Sequence, residues 1–271
     1  MLYFRGVYSL DIYDYALLIG GGFLAGIINT MAGNGSAITL SLLIFSGLPA
    51  PVANATNRVG VLAQTLTAVG SLRKTPRTKM LMKQALWYFI PATLGSLTGA
   101  LLAIDIPDQV LRYVIGGVML FLLFTLLYKP GRWRNATDVQ IPKKNLVQLL
   151  LIFATAFYGG FIQMGIGIML LSVLVLLAGY GLKDANIIKL TLALIFVLPA
   201  FVIFAMSGDM LLWPGLSLAI GTTLGARLAA RYILFMPRAH IYVRRLLIVI
   251  LAVSALFLLQ IPHWINTLLH G

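Results

Sequence analysis

Apolar stretches separated by short polar turns run the length of the chain. They fall near 15–32, 36–47, 52–71, 84–103, 109–128, 145–162, 167–179, 185–206, 211–232 and 240–260. A helix needs about 20 apolar residues to cross a hydrocarbon core of about 30 Å, and by length eight of these runs suffice. The runs 36–47 and 167–179 do not; at 1.5 Å per residue each reaches roughly 18–20 Å. The pattern predicts an all-α polytopic membrane protein with about ten membrane segments, two of them short and either broken or re-entrant. The first fourteen residues have neither an apolar core nor a small-residue cleavage site, so the first span itself is expected to direct insertion.

The segments repeat. Gly33-Asn34-Gly35 is followed by Ala53-Asn54 at the same distance at which Gly165-Ile166-Gly167 is followed by Ala185-Asn186. That constant offset pairs Gly47 with Gly179 and Asn57 with Lys189, while upstream Gly26-Ile-Ile-Asn29 echoes Gly160-Phe-Ile-Gln163. Trp87, Gly95 and Gly99 match Trp213, Gly221 and Gly225 at a second offset. With five segments in each half the second half is inserted upside down, the inverted repeat of many secondary transporters. The expected division is an extracytoplasmic N-terminus at 1–14, a first repeat at 15–128, a basic cytoplasmic loop at 129–144, a second repeat at 145–260 and a C-terminal tail at 261–271.

Composition narrows the class. The chain is 60% hydrophobic and only 10% charged, against about 45–50% and about 25% in soluble domains. Twenty Lys+Arg face seven acids for a net charge of +13; all seven acids are aspartate, and Glu and Cys are absent. The basic residues gather at 72–83, at 129–144 and around Arg231, Arg238, Arg244 and Arg245, whereas Asp105, Asp108 and Asp209 mark the opposite connections. Positive loops stay in the cytoplasm, which places both termini outside and accounts for most of the charge without nucleic acid. The Asn-x-Thr triplets at Asn54 and Asn135 are then chance occurrences.

The candidate site lies in the broken segments. Asn29-Thr-Met-Ala-Gly-Asn-Gly-Ser36 carries two glycines, two asparagines and two hydroxyls, and unsatisfied backbone groups in lipid cost several kcal/mol each. It must line a polar cavity or be buried in protein. A helix starting at Gly35-Ser36 would aim free N–H groups into that cavity, an anion site, and Gly165 and Gly167 would do the same from the other half. Asn29, Gly33, Asn34, Gly35, Ser36, Gln163, Gly165 and Gly167 are therefore candidate binding residues. Arg58 and Lys189 add one cation per half beside Asn54, Asn57 and Asn186; intramembrane charge is rare without a use. The plainer alternative for both cations is snorkelling to the interface, which also suits Arg227. For Gly95, Gly99, Gly221 and Gly225 the better account is close helix packing. No aspartate lies mid-segment, and His240, His263 and His270 sit at segment ends. A carboxylate relay, an acid-lined cation pore, a metal or cofactor site and an intramembrane enzyme are all disfavoured.

These motifs carry a resemblance. Gly26-x-x-Asn-x-x-Ala-Gly-Asn-Gly-Ser36, then Gly47-Leu-Pro and Ala53-Asn-Ala-Thr-Asn57, with the weaker second copy, resemble the TauE/SafE sulfite exporter family, also called the toluene-sulfonate uptake permeases. Gly33, Gly35, Ser36, Ala53, Asn54, Thr56 and Asn57 map onto its first motif, and Gly165, Gly167, Ala185 and Asn186 onto its second. The run Gly33-Asn34-Gly35-Ser36 is poorer in glycine than the family often shows. The resemblance implies a multi-pass carrier of the bacterial cytoplasmic (inner) membrane that exports sulfoacetate, other organosulfonates or sulfite by alternating access. Its expected partners are a small anionic substrate and the bilayer, with a homodimer left open as an assembly. Alternatives are a passive anion channel, a carrier of another small carboxylate or oxyanion, and a structural membrane subunit. Arg58→Ala or Lys189→Ala is expected to abolish flux in a protein that still folds.

Overall fold

The computed structural model describes residues 10–72, 74–127, 145–232 and 239–259, and these residues are helical with no strand among them. The basic loop at 129–144, the tail at 261–271, the start of the N-terminal segment, Asn135, His263 and His270 lie outside the described residues. Every apolar run forms a helix. The order is α1 (Ile12–Ala32), α2 (Gly35–Phe45), α3 (Ala50–Ser71), α4 (Pro76–Ala85), α5 (Phe89–Ile104), α6 (Asp108–Leu127), α7 (Leu146–Phe161), α8 (Ile166–Ser172), α9 (Leu182–Ser207), α10 (Leu212–Arg231) and α11 (Ala239–Leu258).

The fourth run starts earlier than its apolar core. Thr75 caps α4 by accepting from the Thr78 N–H at 3.1 Å, Pro76 fills the first turn, and a 3₁₀ turn at Leu86–Tyr88 carries the chain into α5. Pro at that position costs no hydrogen bond, because the missing donor is an orphan in any helix. The short segments stay short: α2 has 11 residues, and α8 has 7 before a π-helical turn at Val173–Leu177.

Among the described residues three helical stretches, 12–31, 76–104 and 182–207, are both long and apolar enough to cross a bilayer. Length alone admitted more, because α3 spends its face on protein rather than lipid. Asn54, Thr56, Asn57, Arg58, Gln64 and Thr65 of α3 are all buried, which lowers its hydropathy without exposing a polar group to lipid. The outer surface is apolar instead, with Ile90, Leu102, Phe121, Phe124 and Val202 all at least half exposed. Aqueous solvent would penalise so large an apolar surface; hydrocarbon does not.

Glycine sets the closest helix crossings. α1 packs along α10, and α5 along α7. A Cβ on Gly221 or Gly225 would strike the Ile19 or Phe23 backbone of α1, and one on Gly95 or Gly99 the Phe153 or Phe157 backbone of α7. Gly26 and Gly160 meet the Thr222 and Ser96 carbonyls in the same way. The packing role expected of Gly95, Gly99, Gly221 and Gly225 is borne out. Gly99→Leu should therefore separate α5 from α7 and collapse the yield of folded, monodisperse protein. Gly117→Leu, where a Cβ meets nothing, should leave size-exclusion profile and melting temperature near wild type.

Both ends of the bundle are tied. At one, the Ala50 N–H donates to Asp108 Oδ1 at 2.5 Å and the Leu211 N–H to Thr56 Oγ1 at 3.0 Å. At the other, Arg77 grips Asp184 through Nε at 3.1 Å and Nη2 at 2.5 Å, and Tyr180 donates to Gln84 at 3.0 Å. Asp184 stands in the first turn of α9, so no acid among the described residues lies mid-helix.

Candidate functional site

The two broken segments meet at mid-bundle. α1 ends where Gly33 turns left-handed at φ +79°, and α8 is entered through Gln163 and Gly165 at φ +68° and +74°. Gln163 is the one non-glycine with positive φ among the described residues, a costly conformation for a side chain with a Cβ. The Gly167 N–H donates to the Gly33 carbonyl at 3.2 Å, and a Cβ on Gly33 would run into the Gly167 backbone. Two glycine turns from distant parts of the chain thus cross in direct contact.

Beside this crossing lies a cavity of about 20 Å³, walled by Asn29, Gly33 and Ser36 on one side and Gln163, Gly167 and Lys189 on the other. Val61, Gln64 and Thr65 of α3, with Ile166, Leu170, Leu190 and Ala193, complete the wall. That volume holds about one water molecule. Lys189 is 2% exposed, and its ammonium donates to the Thr30 carbonyl at 3.2 Å. Asn29 holds the site together: Nδ2 donates to Gln64 Oε1 at 3.1 Å, and Oδ1 accepts from the Gly35 N–H at 3.3 Å. Gln64 Nε2 is buried and has no partner.

Six of the thirteen sequence candidates, Asn29, Gly33, Ser36, Gln163, Gly167 and Lys189, line this cavity. The others are not on its wall. Arg58 is fully buried against the end of α7: Nη1 donates to the Gly159 carbonyl at 2.7 Å and Gln163 Oε1 at 2.8 Å. Nη2 reaches the Gly160 and Phe161 carbonyls at 2.8 and 3.2 Å and Asn54 Oδ1 at 3.3 Å, while the Phe204 ring covers the guanidinium at 4.7 Å. Asn54 Nδ2 donates to the Phe161 carbonyl at 2.8 Å. The last carbonyls of a helix carry partial negative charge and lack intrahelical partners, so Arg58 and Asn54 serve as a C-cap delivered from another helix. Lys189 on Thr30 does the same for α1.

Neither cation snorkels. Asn57 Oδ1 accepts from Thr39 at 2.6 Å, tying α3 to α2. Asn34 and Asn186 are buried with both side-chain polar atoms unpartnered, and Gly165 abuts Leu122. The free N–H groups expected at the start of α2 are partly spent, because Gly35 donates to Asn29 and Ala37 to the Asn34 carbonyl at 3.2 Å. On α8 the Gly167 N–H is spent on Gly33.

Gln64 and Thr65 are wall residues that the motifs do not contain. They lie seven and eight positions after Asn57, on the same face of α3; helical periodicity carried two more turns would have reached them. The wall carries one cation, several amides and hydroxyls, and no carboxylate. Such a set stabilises negative charge. Among the described residues no cluster of His, Cys, Asp or Glu could hold a metal.

Comparison with known proteins gives the family. A probable membrane transporter protein of Sinorhizobium sp. is 28% identical over 94% of this chain and 95% of its own. One from Haemophilus influenzae is 28% identical over 81% and 85%. The Escherichia coli K12 probable membrane transporter protein YfcA is 24% identical over 97% and 98%. No solved structure matches. The family model described as sulfite exporter TauE/SafE matches residues 18–258, a span that holds both glycine turns, Lys189 and the whole cavity wall, and the chain belongs to that family.

Proposed function

We propose that this membrane protein is a secondary transporter that exports small sulfur-containing anions, such as organosulfonates or sulfite, across the bacterial inner membrane by alternating access. The observation that carries the proposal is Lys189. It is a buried ammonium without a carboxylate partner, on the wall of a cavity built where the two broken segments cross. A buried charge is tolerated when something compensates it, and here the substrate supplies the opposite charge. The cavity is too small for a sulfonate, which suits a closed conformation of a carrier better than an open pore.

Two inverted repeats account for the packing. Gly95 and Gly99 of α5 meet α7 at residues equivalent, by the offsets of the repeat, to those at which Gly221 and Gly225 of α10 meet α1. Gly26 on Thr222 and Gly160 on Ser96 are likewise equivalent. The contacts ascend together in both pairs, so α1 runs parallel to α10 and α5 to α7. A short second segment returns the chain to its starting side, which makes the first and fourth segments of one half point opposite ways. Parallel pairing between halves then follows from opposite insertion. With the basic loops inside, both termini face outward, and export down an outward gradient needs no carboxylate relay.

The test is flux in proteoliposomes. Protein loaded with labelled sulfite or sulfoacetate should release it with saturation and counterflow. Transport of neither anion, nor of any related sulfonate, would sink the substrate class; large single-channel currents would replace the carrier with a channel.

A further inference from the structure

Gln163 stands between the cavity and Arg58. It lines the cavity wall, is 2% exposed, and its Oε1 accepts from Arg58 Nη1 at 2.8 Å. We infer that the Gln163 amide donates a hydrogen bond to the transported anion, alongside Lys189, and that Arg58 is a positioning residue that acts on the anion through it. The inference rests on the anion-carrier function proposed above and adds how a second buried cation, itself off the cavity wall, serves the site.

The contact fixes which end of the amide is free. A guanidinium only donates, so the Gln163 oxygen must face Arg58 and the NH2 group is left over. Among the described residues Gln163 Nε2 finds no acceptor. Asn29, which the sequence repeat pairs with Gln163, has no such spare end, because its Nδ2 donates to Gln64 and its Oδ1 accepts from the Gly35 N–H. A donor held inside protein without an acceptor is costly, and a bound anion supplies the acceptor. Arg58 strengthens the donor. Its own acceptors are the carbonyls of Gly159, Gly160 and Phe161 and the amides of Asn54 and Gln163, none of them charged. Its positive charge therefore polarises the Gln163 amide, and Nε2 binds negative charge more tightly than an isolated amide would.

The backbone carries the same reading. Gln163 sits at φ +68°, where a residue with a Cβ is strained. The turn is pinned on both sides: the Gln163 N–H donates to the Tyr158 carbonyl at 3.3 Å, and the Tyr158 hydroxyl to the Met164 carbonyl at 2.6 Å. Glycine would hold this turn without strain, as Gly33 and Gly165 hold theirs. The side chain of Gln163 is what the strain retains, and strain of this kind gathers where ligands are clamped.

The test is flux of labelled sulfoacetate in proteoliposomes over a range of concentrations, with labelled sulfite as a second probe and thermal melting of the same preparations. Gln163→Gly removes the donor and the strain together and leaves Arg58 its carbonyls and Asn54. It should raise KM about ten-fold or more while melting close to wild type. Gln163→Glu separates anchoring from binding. Its carboxylate pairs with Arg58, so the protein should melt at or above the wild-type temperature, but its second oxygen replaces the donor and repels the anion, so flux should be lost. A Gln163 that only anchors Arg58 would give a Gln163→Glu protein that transports like wild type. That result, or an unchanged KM in Gln163→Gly, overturns the inference. Wild-type protein that moves neither probe ends the anion-carrier function itself, and this inference falls with it.

Discussion

Lys189→Met abolishes anion flux and leaves the protein folded in the membrane. Methionine has nearly the length of lysine, is apolar and flexible, and fits a position that is 2% exposed. What it removes is a buried charge whose one protein partner is the Thr30 carbonyl. Exchanging buried charge for a well-packed apolar side chain is commonly neutral or stabilising, and the orphaned carbonyl costs about 1–3 kcal/mol in return. The two effects offset one another, so melting temperature should move little. Flux has no such offset. A charge-assisted contact to a buried anion is worth about 2–5 kcal/mol, a loss of roughly 30-fold to several thousand-fold. Proteoliposome flux normalised to reconstituted protein, with thermal melting beside it, checks both halves. Wild-type flux from Lys189→Met would remove the residue from the pathway.

The helices were legible because lipid imposes a simple pattern: every apolar run became a helix, and the two short runs stayed short. The glycine turns were legible for a related reason, since Asn29-to-Ser36 cannot face lipid and had to be buried. What the pattern could not reveal was the direction in which α3 presents its polar residues. Arg58 and Lys189 stand at similar depth in equivalent segments, so both looked like cations of one site. The repeat, however, aligns Lys189 with Asn57 and leaves Arg58 one position further on, and one residue is about 100° around a helix. Lys189 consequently reaches the cavity and Arg58 turns to the end of α7. Gln64 escaped notice in the opposite way: a lone amide in an apolar stretch reads as incidental until its face is known. A helix C-terminus needing a partner from elsewhere in the chain also leaves no local mark in sequence, so the capping roles of Arg58 and Asn54 emerge only in three dimensions.

Arg58→Met, by contrast, should cost the fold first. The guanidinium holds the carbonyls of Gly159, Gly160 and Phe161 and the Gln163 side chain in a buried site. Each buried acceptor left without a donor costs about 1–3 kcal/mol. The Gly159 and Gly160 carbonyls and the Gln163 amide oxygen, with Phe161 still held by Asn54 Nδ2, together make up much of the 5–15 kcal/mol that holds a typical domain folded. The left-handed Gln163 would lose the bond that pins it, and the entry to α8 would loosen. Arg58→Lys should recover only part of the loss, since an ammonium keeps the charge but cannot reproduce a planar fork across several carbonyls. The expected order of melting temperature is therefore wild type, then Arg58→Lys, then Arg58→Met, with yield falling in step. Lys189→Met should keep stability and lose flux, whereas Arg58→Met should lose stability while the molecules that remain folded retain measurable flux. An Arg58→Met protein that melts like wild type yet carries no anion would reverse the assignment and return Arg58 to the anion pathway.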